Sequence, residues 1–429
     1  MANQGERSGA MDGLVNGLSG ASHGHGGAGD AAPRAVNRAG AAPGEGGRQE
    51  IARPTWAEVV SEEKQEERPE RAEDGRRQHG HCPPTSTQRR NLGETGETKG
   101  GGWQDRRPHQ QTLKCKRSQQ NSEEWNRYKR PPSEQEYSED VSQLRHGLNV
   151  KPTREELNHL SKACCRLWEL DLNRLLPGKD YRIECGQGKK VYQKGDMASE
   201  NLFSWLKDDI LHRPTYSRFC ALLDNYNPRQ GYKELVTQQD KNEEAAFIEE
   251  IARSAPIKYL HQYLVLKRIT SQDQKDFKKM LASLWFDLYG RGGCSGSSSA
   301  FEHVFVGEIK GRCRGENEVT GFHNWIQFYL EESKGNVDYQ GYIFPRTCGD
   351  LPDSEMQLLT IQFEWHGLLK SVSSTLVGVS PEFEIALYTL CFFAGEENNH
   401  VHVGPYALNI KCYRMGVNKI GSAFPVAEQ

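Results

Sequence analysis

The 429-residue chain has no run of about 20 apolar residues, the length a membrane-spanning helix needs. Its N-terminus, MANQGERSGAMDGLVNG, has no apolar stretch of the kind that forms a signal-peptide core. Both absences point to an intracellular protein, cytoplasmic or nuclear, with no membrane partner. There is no CxxC pair among the eleven cysteines, and an odd number scattered over a long chain does not form a secreted disulfide framework, so reduced thiols are expected. Charge of one sign is also missing. With a net charge of -3, nothing in the overall balance draws the chain to a polyanion, and any nucleic-acid contact has to be local.

Aliphatic residues are scarce over residues 1–137, where Gly, Ala, Glu, Arg, Gln and Ser dominate and no apolar period offsets the entropy of ordering. A disordered, low-complexity tail is expected there. PTWAEVV and GGWQDRR interrupt it as candidate contacts for protein partners, and KCKR at 114–117 is a candidate RNA or import patch. For each of these, solvated chain is the preferred alternative.

An ordered domain is expected over residues 138–429, its first part, to about residue 290, mainly helical. TREELNHLSKACCRLWELDLNRL opens with Thr153 and Glu156 at capping-box spacing and sets Leu157, Leu160, Cys164, Leu167 and Leu170 along one helical face. ENLFSWLKDDIL, YSRFCALLDNY, KNEEAAFIEEIARSAPIKYLHQYLVLK (broken at Pro256) and QDQKDFKKMLASLWFDLY repeat the helical period. GRGGCSGSSSA then reads as a flexible joint. Beyond it, FEHVFVGEI, MQLLTIQFEW and HVGPYALNIKCYR have β character, while Ser380-Pro381 ahead of EFEIALYTLCFF favours a helix. The fold class is α+β, the helical part preceding antiparallel β-sheets with helices.

FEHVFVGEI, taken as a strand, puts Glu302 and Glu308 on one face and His303 on the other. Two carboxylates on one face suit a divalent cation or a pair of cationic neighbours; a solvated polar edge is the alternative. His303 and His323 sit among polar residues, and paired imidazoles can act as base and acid near neutrality, a combination suited to phosphodiester cleavage. Spacing alone does not separate them from two unrelated surface histidines. The paired histidines of HVHV at 400–403 lack a third ligand and read as an ordinary strand face. Trp325, Phe328 and Tyr329 read as core packing, as do Tyr388 and Tyr413.

The segments FEHVFVGEIK, GFHNWIQFYLEE, HGLLKSVSSTLVGVSPEFE and IGSAFPV, in this order, closely resemble the EndoU family of poly(U)-preferring endoribonucleases, as does LWELDLNRLLPGKDYRI. The resemblance runs from about residue 138 to the end. It implies an enzyme that cleaves single-stranded RNA at uridines by 2′-OH attack, leaving 2′,3′-cyclic phosphates, with His323 as base, His303 as acid (or the reverse) and Lys370 stabilising the transition state. It further implies that Ser374, Ser422 and Phe424 line the uracil site and that Glu302 and Glu308 matter through Mn²⁺ or Ca²⁺ stimulation; separately, a monomer is expected. Two departures stand out: the loop KGRCRGENEVTG is long, and Phe424 replaces a usual tyrosine, keeping ring stacking while losing a hydroxyl contact. They leave open the alternative of an RNA-binding regulator with a weakly active or inactive domain. A two-histidine phosphoesterase is excluded because His303 is followed by Val-Phe and His323 by Asn-Trp, not by H-x-T/S patterns.

Overall fold

A computed structural model describes residues 134–143, 148–311, 317–344 and 357–427. The tail up to residue 133, with its candidate motifs, lies outside these residues, as does the middle of the loop between the two histidines.

The helical part begins as its caps dictate. Thr153 accepts from the Glu156 amide while the Glu156 carboxylate accepts from the Thr153 amide, which starts α1 (Arg154–Asn158). The chain re-enters helix as α2 (Leu160–Leu170), which buries Ala163, Cys164, Leu167 and Leu170. Proline at the first turn opens α3 (Pro214–Leu222). The long charged segment divides into α4 (Gln238–Ile251) and α5 (Ala255–Leu266), with Pro256 in the first turn of the second. Asp273 caps α6 (Gln274–Phe286) through the amides of Lys275 and Asp276.

Two expectations fail here. ENLFSWLKDDIL is not a helix: Phe203–Leu206 forms β3, antiparallel to β1 (Tyr181–Ile183), and a single 3₁₀ turn follows at Ile210–His212. The amides of Leu202 and Phe203 donate to the two carboxylate oxygens of Glu332, at 2.7 and 3.1 Å. That partner is remote in sequence, so the apolar period of the segment carries no trace of it. Nor is GRGGCSGSSSA a loose joint. Ser297, Ser298 and Ser299 are fully buried, and the backbones of Tyr289 and Ser298 are bonded to each other.

The β-rich part contains a four-stranded sheet in the order β2 (Gly188–Lys189), β6 (Val337–Ile343), β7 (Leu358–Trp365), β8 (Leu368–Leu376), antiparallel except for β2–β6. A second sheet runs β11 (Lys419–Ala427), β10 (Tyr406–Met415), β9 (Asn398–Val403), and β4 (Glu308–Gly311) pairs with β5 (Asn317–Thr320). Two helices belong to this part, α7 (Trp325–Lys334) and α8 (Pro381–Ala394), the latter capped by Ser380 as its sequence foretells. α8 is buried from Pro381 to Phe392 and packs against α2, α3, α5 and β10, so a nearly all-apolar helix joins the helical part to the second sheet. The architecture is α+β as expected. No described helix is long and apolar enough to cross a membrane.

Candidate active site

The segment expected to be a strand at His303 is a π-helical turn, Glu302–Val306, closed by a 2.8 Å bond from the Gly307 amide to the Glu302 carbonyl. Gly307 takes φ +94°, and a Cβ there would lie 2.7 Å from the Phe322 side chain, so both the turn and its neighbour require glycine. The shared face expected for Glu302 and Glu308 therefore does not exist. The turn instead brings together residues that a strand would separate: Glu308, at the start of β4, places Oε2 2.5 Å from His303 Nδ1. Gln230 donates to the same oxygen at 3.1 Å, and Arg291 Nε lies 3.6 Å from it.

His323 is pinned to this turn through backbone. The Phe322 amide donates to the His303 carbonyl at 3.1 Å, and the His323 amide donates to the Val304 carbonyl at 2.9 Å. The approach is so close that a Cβ on Gly321 (φ +66°) would sit 1.7 Å from the His303 oxygen, and Phe322 itself adopts φ +63°. The following residue, Asn324, caps α7 with its Oδ1 and donates from Nδ2 to Glu384 at 2.6 Å. A helix cap thus orients the chain at His323, and α8 holds the cap.

The long strand β8 forms the other wall. Ser373 Oγ lies 3.3 Å from His323 Nδ1 and donates to the Phe322 carbonyl at 2.8 Å. Ser374, expected to face uracil, offers its carbonyl to His323 Nδ1 at 3.3 Å, while its hydroxyl bonds with Thr360 at 3.0 Å. Lys370, half-buried on the same strand, donates to the Val319 carbonyl at 3.3 Å. From β11, Phe424 lies against His323, ring on ring, and Ser422 is buried nearby on the same strand. Sequence reading did not single out Ser373, Gln230, Arg291 or Glu384. Asn324 was within its reach, since Asn directly before an amphipathic run is a capping signal.

The electrostatics differentiate the two imidazoles. Burial lowers His303, and the hydrogen bond to Glu308 partly restores it. Burial, with the charges of Lys370 and His303, holds His323 well below the usual imidazole range, and its hydrogen-bonding neighbours are a carbonyl and a hydroxyl, neither of them charged. Burial also pushes the Lys370 ammonium down to about 8, against the pull of Glu318. The charge of Lys370 works to lower both imidazoles, and the strand that carries it, β8, also carries Ser373 and Ser374, which contact His323. For Glu308, burial works to raise the carboxyl, but His303, Arg291 and Gln230 outweigh it and hold it low.

Glu302 differs from its partner in the expected cation pair. It is fully buried, and neither carboxylate oxygen finds a hydrogen-bond partner among the described residues. Burial, with the nearby Glu308 and Glu234, pushes its carboxyl up to about 10. Oxygen donors suit Mn²⁺ or Ca²⁺, but Glu308 Oε2 is committed to His303 and faces a guanidinium. Among the described residues, no three His, Cys, Asp or Glu side chains converge as a metal cluster. Glu302 and Glu308 by themselves do not fit as the cage of a divalent ion.

The profile of the family described as Endoribonuclease XendoU matches residues 159–425, more than half the chain. This chain belongs to that family. The chain is 43% identical over 285 residues to the Poly(U)-specific endoribonuclease-A of Xenopus laevis, covering 64% of this chain and 95% of that one. Identity to Uridylate-specific endoribonuclease B of Danio rerio is 41% over 274 residues, with 62% of this chain and 95% of the relative covered. Among solved structures, "The structure of XendoU: a splicing independent snoRNA processing endoribonuclease" superposes with TM-score 0.56 at 40% identity, covering 65% of this chain and 99% of that one. The α+β architecture is that of the XendoU family, and the chain is a homologue of uridylate-specific endoribonucleases.

Proposed function

We propose that this chain is an endoribonuclease that cuts single-stranded RNA at uridines, with the 2′-OH attacking the adjacent phosphate and a 2′,3′-cyclic phosphate left behind. The observation that carries this is the pair of backbone bonds joining the segments of His303 and His323, with the strand of Lys370 lying against His323 through Ser373 and Ser374. His323, kept neutral by burial and without a carboxylate partner, takes the proton from the 2′-OH as the 2′-O–P bond forms. His303, whose imidazolium is stabilised by Glu308, returns a proton to the 5′-oxygen as the P–O5′ bond breaks. Lys370 offsets the charge that develops on the non-bridging oxygens. Uridine preference follows from the relatives, which are uridylate-specific and poly(U)-specific endoribonucleases, and the uracil is assigned to the wall bearing Ser422 and Phe424, with Ser374 behind it. Stimulation by Mn²⁺ or Ca²⁺ belongs to the proposal without a ligand set, and no step is written through the ion.

The test is cleavage of an oligonucleotide with one uridine, with mass analysis of the product ends. A cyclic phosphate 3′ of the uridine is expected, with no cutting when that uridine is 2′-deoxy. Undiminished cutting of the deoxy substrate would overturn the mechanism.

A further inference from the structure

The sheet β11–β10–β9 has two unlike faces. Leu408, Ile410 and Cys412 point to the core, where α8 lies on β10 and α2 on β9. Residues alternate along a strand, and directly opposed residues of antiparallel strands share a face. Tyr413 therefore shares the other face with its partner Ser422, and Lys411 shares it with its partners Phe424 and Asn398. This face begins at the proposed catalytic centre, because Phe424 is stacked on His323. From there it runs outward: the Tyr413 ring is 6.2 Å from that of Phe424, tilted by 37°, and Tyr413 remains 37% exposed. Tyr413, expected as a packing residue, packs beside Phe424 and still remains part-exposed.

We infer that this open sheet face is the track for the RNA flanking the cleaved uridine, Tyr413 stacking on a neighbouring base and Lys411 engaging a backbone phosphate. It rests on the endoribonuclease activity proposed above. Single strands are bound where an exposed aromatic ring and a cation lie side by side on a sheet, since every base offers a π-face and every linkage a charge. The Lys411 ammonium rests on the Asn398 amide oxygen, a neutral partner that leaves its charge available to a phosphate. Glu397 lies near enough to act on the Tyr413 hydroxyl. An uncharged base tolerates that carboxylate where a phosphate would not, so the stack falls to Tyr413 and the phosphate to Lys411.

The test compares kcat/KM for a uridine dinucleotide with that for substrates extended by a few nucleotides on the 5′ or the 3′ side. In the unaltered chain, extension on one side raises kcat/KM. In Tyr413→Ala that gain falls on the order of tenfold, the size a lost base–aromatic stack carries, and Tyr413→Phe restores it. Lys411→Gln reduces the slope of log affinity against log salt by about 0.7, as expected for one phosphate contact on a single strand. No gain on extension in the unaltered chain, or the same gain in Tyr413→Ala, overturns the inference. The same substrates carrying 2′-deoxyuridine, read as binding, separate this outcome from failure of the catalytic proposal. A length gain in binding that Tyr413→Ala abolishes supports the track even where nothing is cut, and one that Tyr413→Ala leaves intact refutes it.

Discussion

Phe424 lies flat on His323, ring centroids 4.4 Å apart and planes 15° from parallel. One face of the ring expected to stack on uracil is thus taken by the proposed base. Phe424 contributes to the burial that keeps His323 neutral. Phe424→Ala should let the imidazole rise toward its ordinary value, moving the acid limb of the kcat/KM profile to higher pH. Phe424→Tyr keeps the stack and should leave that limb where it is. A pH–rate profile of the two variants decides; an unmoved limb in Phe424→Ala would mean that the stack does not govern the proton.

The bond between His303 and Glu308 makes the opposite prediction at the other limb. The carboxylate supports the imidazolium of an acid that burial otherwise lowers. With Glu308→Gln, the folded-state value of His303 falls further, its protonated fraction is lost at lower pH, and the alkaline limb should move toward acid. A fall in kcat without that movement would assign Glu308 to positioning alone.

Several carboxyls in the core carry a stability signature. Burial raises Asp171 to about 6 and Glu382 and Glu384 to about 8. Each of these acids keeps its proton in the fold at a pH where the unfolded chain has lost it. The stability they contribute is full below their unfolded values and is lost as pH rises through about 6 to 8. The melting temperature should therefore decline from pH 5 to 9. Glu384→Gln keeps an acceptor for the Asn324 amide and, in place of the acceptor that the Tyr388 hydroxyl now uses, offers that hydroxyl an N–H donor, and should make the decline shallower. Thermal denaturation across that range is the measurement, and an equally steep decline in Glu384→Gln would remove Glu384 from the account.

Asn324 joins stability to the site. Asn324→Ala removes the cap of α7 and leaves Glu384 without its amide donor, a cost of about 1–2 kcal/mol for the cap with the buried carboxyl's loss in addition. Denaturant unfolding should show that loss. kcat should fall with it, because His323 precedes the cap directly.

What the sequence made legible follows physical range. The capping box at Thr153, the break at Pro256, the Ser380-Pro381 start of α8 and the helical period of α4 and α6 are local signals, and each is realised. The histidines and the lysine became legible only through the order of four motifs, since their spacing says nothing about proximity. The strand at Phe203 depends on Glu332, and the buried serines at 297–299 depend on Tyr289 and Arg291, contacts that no periodicity records. The π turn escaped for another reason. EHVFV alternates as a strand does, and only Gly307, read as an ordinary strand position, marked where the chain had to turn.

Gly321 offers the most direct test of the pinned pair. Its left-handed backbone and the 1.7 Å that would separate an added Cβ from the His303 carbonyl oxygen leave no room for a side chain. In Gly321→Ala the two segments must separate, and the bond from the Phe322 amide to His303 is the first to lengthen. A misplacement of about 1 Å between catalytic groups costs roughly 100-fold in rate, so kcat should drop by that order. Because Gly321 itself contacts no reacting atom, binding of a 2′-deoxyuridine oligonucleotide should change far less than kcat. A variant with unchanged turnover would show that cleavage does not depend on the two imidazoles being locked together, and the proposed division into base and acid would fall with it.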